Sequence, residues 1–258
     1  MSADHDMPLI AHLIELRRRL LFALLAFGVA FAVCYYFSQN IFDFLIRPLA
    51  NVFENHAGRR LIYTGLAEAF VTYIKVAFFA AIFISFPILL SQIWLFVAPG
   101  LYHQEKRVVF PFLIATPLLF LAGAAFAYYG IIPPAWSFFL SFETTGLEGS
   151  LPIQLEGRVA EYLSIVMQLI LAFGICFQLP VALILLARLN VLTAEHLKKA
   201  RKYSFLGILI LSALLTPPDV LSMLGLAIPL YSLYEISIHL IKFFEKRRMG
   251  AIKNGEVS

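Results

Sequence analysis

Two acids in this sequence sit among bases, and their placement poses a chemical question. Glu15 belongs to the run His12-Leu13-Ile14-Glu15-Leu16-Arg17-Arg18-Arg19-Leu20, and Glu105 directly precedes Lys106 and Arg107. An exposed ion pair is worth only about 0–1 kcal/mol, so stability is a weak reason for either acid. Two such carboxylates can instead receive a cationic ligand, and a guanidinium would give them bidentate, charge-assisted bonds. In the first run Leu9, Leu13, Leu16 and Leu20 share one helical face, while His12, Glu15 and Arg19 share another. The same spacing lets Glu15 pair with Arg18 or Arg19 and leaves the arginines free to act as topological anchors.

A further polar feature carries no charge. Gln168, Gln178 and Pro180 interrupt a long apolar run. On one continuous helix the two amides would lie about 80° apart around the axis. They fit interhelical hydrogen bonding, typically about 0.6 kcal/mol per contact, as well as a functional polar patch. Pro180 is expected to kink the helix and free a carbonyl near Cys176. Catalysis and metal binding find no support. Neither H-E-x-x-H nor G-x-S-x-G occurs, and the six histidines show no ligand spacing on a span. No cofactor, metal or catalytic residue is expected, and the separated Cys34 and Cys176 read as apolar packing residues.

The elements that position these groups follow from composition. Of the 258 residues 61% are hydrophobic and 14% charged, against about 45–50% and about 25% in soluble domains. Such a chain cannot cover itself with polar side chains in water. A disordered chain, a nucleic-acid-binding module and a disulfide scaffold are excluded by the same proportions. The predicted fold class is an all-α integral membrane protein, because backbone groups in lipid must bond within the segment and no alternating barrel pattern appears.

Apolar windows at 20–37, 76–97, 108–132, 162–187, 203–215 and 220–241 predict six transmembrane helices. Thr216-Pro217-Pro218-Asp219 separates the last two, which read as a tight hairpin. Its first arm covers only about 20 Å and underfills a bilayer. The first span has a basic leader, but no small-residue cleavage site follows position 37, so it is read as a retained helix. Residues 1–258 are taken as a single domain with structured outer segments at 38–72 and 133–161 and a flexible tail at 242–258.

Charge by compartment gives the orientation. Fifteen of the twenty Lys and Arg residues fall at the two ends of the chain and in the loops on the same side, leaving five in the alternate loops. The positive-inside rule then places both termini in the cytoplasm.

Four segments in order, HLIELRRRL, FVAPGLYHQEKR, AFGICFQLPVA and LLTPPDV, resemble the TatC family, the multi-span core subunits of the twin-arginine protein translocase. The resemblance runs from about position 8 to 241. It implies a concave, cup-like bundle of six helices with short fifth and sixth spans in the bacterial cytoplasmic (inner) membrane. It also implies recognition of twin-arginine signal peptides on folded precursors, transport driven by the proton-motive force, TatA/TatB-type single-span partners and self-association in the receptor complex. On that resemblance Glu15 and Glu105 receive the signal peptide's arginines, Arg17 serves the same region, and Phe96, Pro99 and Leu101 shape it. Pro48 matches a structural motif proline, while Thr216 and Asp219 fall where partner helices dock. Gln178 departs from the motif, which often carries an acid there. It can hydrogen-bond both ways but cannot titrate, and with Pro180 it is read as a partner contact.

Overall fold

The computed structural model describes residues 9–53, 60–97, 106–144, 156–189, 191–216 and 219–253. They form ten α-helices: α1 (Leu9–Tyr36), α2 (Ser38–Phe53), α3 (Glu68–Val97), α4 (Lys106–Ala125), α5 (Ile132–Leu140), α6 (Val159–Cys176), α7 (Leu179–Arg188), α8 (Ala194–Lys199), α9 (Arg201–Leu215) and α10 (Val220–Lys253). A π-helical stretch, Phe126–Ile131, joins α4 to α5. Among the described residues five stretches are long and apolar enough to cross a membrane: Leu13–Tyr36, Glu68–Ile93, Phe112–Leu140, Val159–Arg188 and Val220–Lys246. At 15 residues α9 covers about 22 Å, the short arm expected of the hairpin.

Several boundaries differ from the sequence expectation for identifiable reasons. The N-terminal run is helical and starts well before the window at 20–37. It continues into the first span as α1, since nothing between Leu9 and Tyr36 breaks helical geometry. The window at 162–187 is two helices. α6 ends at Cys176, whose carbonyl would have needed the N–H that Pro180 lacks, and the Gln178 N–H turns back to the Ile175 carbonyl at 2.9 Å. The 80° relation between Gln168 and Gln178 therefore does not hold. α10 continues beyond the window that ends at 241, as far as Lys253. Its Glu245 accepts a hydrogen bond from the Ala194 N–H at 3.0 Å, and its Phe244 ring lies 4.6 Å beneath the Arg188 guanidinium carbon.

The chain divides into two compact units, one of Met1–Arg47, Ile62–Pro117 and Arg158–Leu163, the other of Pro48–Leu61, Leu118–Gly157 and Ser164–Ser258. Each is woven from separate stretches, so no linker or shift in composition marks a boundary in the sequence read as one domain. In the first unit α1 packs on α3. Buried Cys34, Ala77, Ala80 and Ala81 form the seam, flanked by Phe27 and Phe31, because small side chains let apolar helices approach closely. One end of this unit is tied by backbone and side chain together. The Val159 N–H donates to Ile62 O at 3.1 Å, and Tyr162 Oη donates to Leu45 O at 3.0 Å. Glu68 Oε2 accepts from the N–H groups of Thr64 and Gly65 at 2.7 and 3.0 Å, and Arg158 donates to Thr64 Oγ1 at 2.7 Å.

In the second unit α10 is the central post, packed by α7, α8 and α9. Here two glycines set the distance between helices. A Cβ on Gly123 would stand 2.6 Å from the Phe173 carbonyl oxygen, and one on Gly174 would stand 2.5 Å from the Phe120 ring. Gly123→Ala and Gly174→Ala should each cost about 1–3 kcal/mol through overpacking and lower the melting temperature of the detergent-solubilised protein. Gly28→Ala and Gly207→Ala, whose added methyl groups meet nothing within 4 Å, should leave it unchanged or raise it slightly. Thermal unfolding followed by intrinsic fluorescence checks this, and equal shifts in all four variants would refute the close-approach account.

Candidate functional site

The first candidate site is built on α1. Helical periodicity sets Glu15 and Arg19 one turn apart on the same face, and the two form an ion pair with Arg19 Nε donating to Glu15 Oε1 at 3.0 Å. Arg19 Nη2 reaches the same oxygen. Both side chains are about three-quarters buried, beside a recess of about 370 Å³ lined by Glu15, Arg18, Arg19, Phe22 and Gln92. Gln92 comes from α3, so the α1–α3 seam that buries Cys34 near one end shapes the recess near the other. The recess offers one carboxylate, two guanidinium groups, an aromatic ring and an amide. Bases outnumber the acid in that set, so a ligand carrying positive charge can be held there only through the Glu15 carboxylate.

The other predicted residues are distributed unevenly around it. Arg17 is exposed on α1 and does not line the recess. Phe96 lies in the last turn of α3, with its side chain outside the described residues, and Pro99, Leu101 and Glu105 lie outside them altogether. Pro48 is buried inside α2. Phe22 and Gln92 were not anticipated. An amide inside the second apolar window was the available signal for Gln92, but only the fold brings it opposite Glu15.

The second candidate site is the turn between α9 and α10. Buried Thr216 donates through Oγ1 to Ser212 O at 2.8 Å, ending α9. Buried Asp219 accepts from the Ser222 N–H through Oδ2 at 2.6 Å, capping α10. The Gln168 side chain donates to Leu215 O at 3.1 Å. Gln168 thus reaches this turn. Gln178 and Pro180 instead form the α6–α7 break, with Pro180 buried and the Gln178 carbonyl accepting from the Ala182 N–H at 3.0 Å. Among the described residues Asp219 Oδ1 and the hydroxyls of Ser212 and Ser222 are buried without a hydrogen-bond partner, so this turn has more polar capacity than it uses internally. No group of three or more His, Cys, Asp or Glu with metal-binding geometry occurs among the described residues.

Comparison with known proteins accords with this geometry. The family described as "Sec-independent protein translocase protein (TatC)" matches residues 11–229. The chain is 46% identical to the Sec-independent protein translocase protein TatC of Rickettsia prowazekii (strain Madrid E), over 94% of this chain and 95% of that protein. It is 41% identical to the protein of the same description from Escherichia coli (strain K12), over 99% and 95% respectively. Among solved structures, the crystal structure described as the twin arginine translocase receptor TatC superposes with a TM-score of 0.75 at 36% identity, covering 90% of this chain and 98% of that one. A family match over most of the chain, joined to near-full-length identity with curated relatives, identifies the chain as a member of the TatC family of Sec-independent protein translocase proteins.

Proposed function

We propose that this protein is the receptor subunit of a twin-arginine translocase, and that it binds the arginine pair of a signal peptide at its cytoplasmic face through Glu15 and Glu105. Arg17, Phe96, Pro99 and Leu101 complete that site. TatA/TatB-type subunits dock on the other side of the mechanism, at Gln178, Pro180, Thr216 and Asp219, and the assembly moves folded proteins across the bacterial inner membrane using the proton-motive force. Six spans with both termini cytoplasmic, and more than one copy in the receptor complex, belong to the same reading. The observation that carries it is Glu15, an acid held at a recess on the basic side of the chain where it already binds a guanidinium. Family membership and a solved relative described as a receptor support it.

A solute transporter, the nearest rival, needs a charge at membrane depth that is available to a substrate. The acid in the last span does not offer one. Glu235 is held by Arg201 at 2.6 Å and accepts from Tyr231 Oη at 3.1 Å.

Glu15→Ala and Glu105→Ala should each reduce crosslinking of a twin-arginine precursor about tenfold, the scale of one charge-assisted pair, while membrane insertion persists. Site-specific photocrosslinking checks this, and undiminished crosslinks in the double variant would sink the assignment. Glu105→Arg should export less than Glu105→Ala, since it adds like-charge repulsion. Gln178→Leu should disturb the complex with single-span partners on blue-native gels more than it disturbs precursor binding. Unchanged complexes would reduce Gln178 to packing.

A further inference from the structure

Glu15 is already occupied. Arg19 Nε donates to Oε1 at 3.0 Å and Arg19 Nη2 converges on the same oxygen, with the two side chains only 21% and 25% exposed. Arg18 adds a second guanidinium to the recess, so bases outnumber the acid before any ligand arrives. A cationic ligand is not drawn in by the recess as a whole. It has to take the carboxylate from a group of its own chemistry.

We propose that Arg19 is an internal competitor for the signal peptide's arginine: it holds Glu15 in the unliganded protein and is displaced on binding, so it sets the affinity of the site. This rests on the reading of Glu15 as a signal-peptide contact. The geometry makes displacement feasible in one direction. Arg19 reaches back one helical turn and directs both donors to a single oxygen. A guanidinium arriving from outside α1 is not tethered to that helix and can place two parallel N–H bonds on the two carboxylate oxygens, the stronger arrangement. An ammonium brings only a compact point charge. An i,i+4 pair near the surface biases an equilibrium by a factor of about two to five. That bias keeps Glu15 engaged at rest without closing the site. An internal competitor lowers the affinity of every ligand that needs Glu15 by the same factor, so Arg19 sets absolute affinity and leaves arginine-over-lysine choice to bidentate geometry.

The test uses the full chain in detergent with a fluorescent twin-arginine signal peptide, reading Kd by anisotropy. Arg19→Gln should lower Kd about two- to fivefold, and Arg19→Lys, which can still pair, should lie closer to the parent. Arg18→Gln removes the same charge from the recess but leaves the Glu15–Arg19 pair intact, and it should gain less. The gain from Arg19→Gln should vanish in a Glu15→Gln background. An unchanged or higher Kd for Arg19→Gln, an equal gain from Arg18→Gln, or a gain that survives Glu15→Gln would each overturn the competitor role. Loss of binding in Glu15→Gln without a gain in Arg19→Gln overturns the competitor alone. Parental binding in Glu15→Gln overturns the Glu15 reading along with it.

Discussion

Hydrocarbon offers no water to a polar group, and this structure is organised around that deficit. Every long apolar segment among the described residues is helical, since only a helix bonds its own backbone without a neighbour. Several hydroxyls inside these segments follow suit. Ser85 donates to Ala81 O at 2.6 Å, Thr72 to Glu68 O at 2.7 Å, Ser232 to Ile228 O at 2.9 Å and Ser237 to Leu233 O at 2.6 Å. Each returns its proton to the preceding turn of its own helix. Where proline removes a donor, the chain compensates locally. Pro133 and Pro134 open α5, where first-turn N–H groups lack intrahelical partners anyway, directly after a π-helical stretch that absorbs the change of register.

The same deficit governs charge. Acids near the apolar segments are matched by a base or by backbone donors: Glu235 by Arg201, Glu245 by the Ala194 N–H, Glu68 by the loop that precedes α3. The pairings of Glu235 and Glu245 join elements distant in sequence, so they fix tertiary structure at the ends of helices, where apolar packing alone is indifferent to register. Glu15 obeys the rule but differs in kind. Its partner lies on its own helix, one turn away, and exchanging that partner would disturb no tertiary contact. An acid whose pairing holds nothing else together can change partners cheaply; Glu195, paired with Lys199 one turn on, shares that property, but only Glu15 of the two lines a recess, and this makes it a place for recognition.

Legibility followed the range of the forces involved. The long spans, the short arm at α9 and a distortion at Pro180 were readable, because apolar length and a proline's missing donor act within one segment, although the kink expected there is a full break between α6 and α7. That Glu15 pairs with Arg18 or Arg19 was readable from helical spacing, and the fold selects Arg19. What escaped depends on contacts between segments. The continuation of α10 to Lys253 looks like a loose basic tail until Glu245 and Phe244 meet Ala194 and Arg188. Gln92 in the recess and Gln168 at the α9–α10 turn were visible as amides in apolar runs, but their partners lie on other elements. The two interleaved units left no trace in composition, since both are built from the same apolar alphabet.

Gln178 narrows the mechanism further. It stands where the loss of the Pro180 N–H ends one helix and begins another. An amide in that position can switch hydrogen-bond partners but holds the same charge at every pH. In the proposed proton-driven cycle, a protonation step at the α6–α7 break is therefore unavailable to this chain, and the break can act only through partner contact and geometry. Two acids elsewhere in the second unit are already engaged: Glu235 pairs with Arg201, and Asp219 caps α10 through one oxygen while the other stays buried.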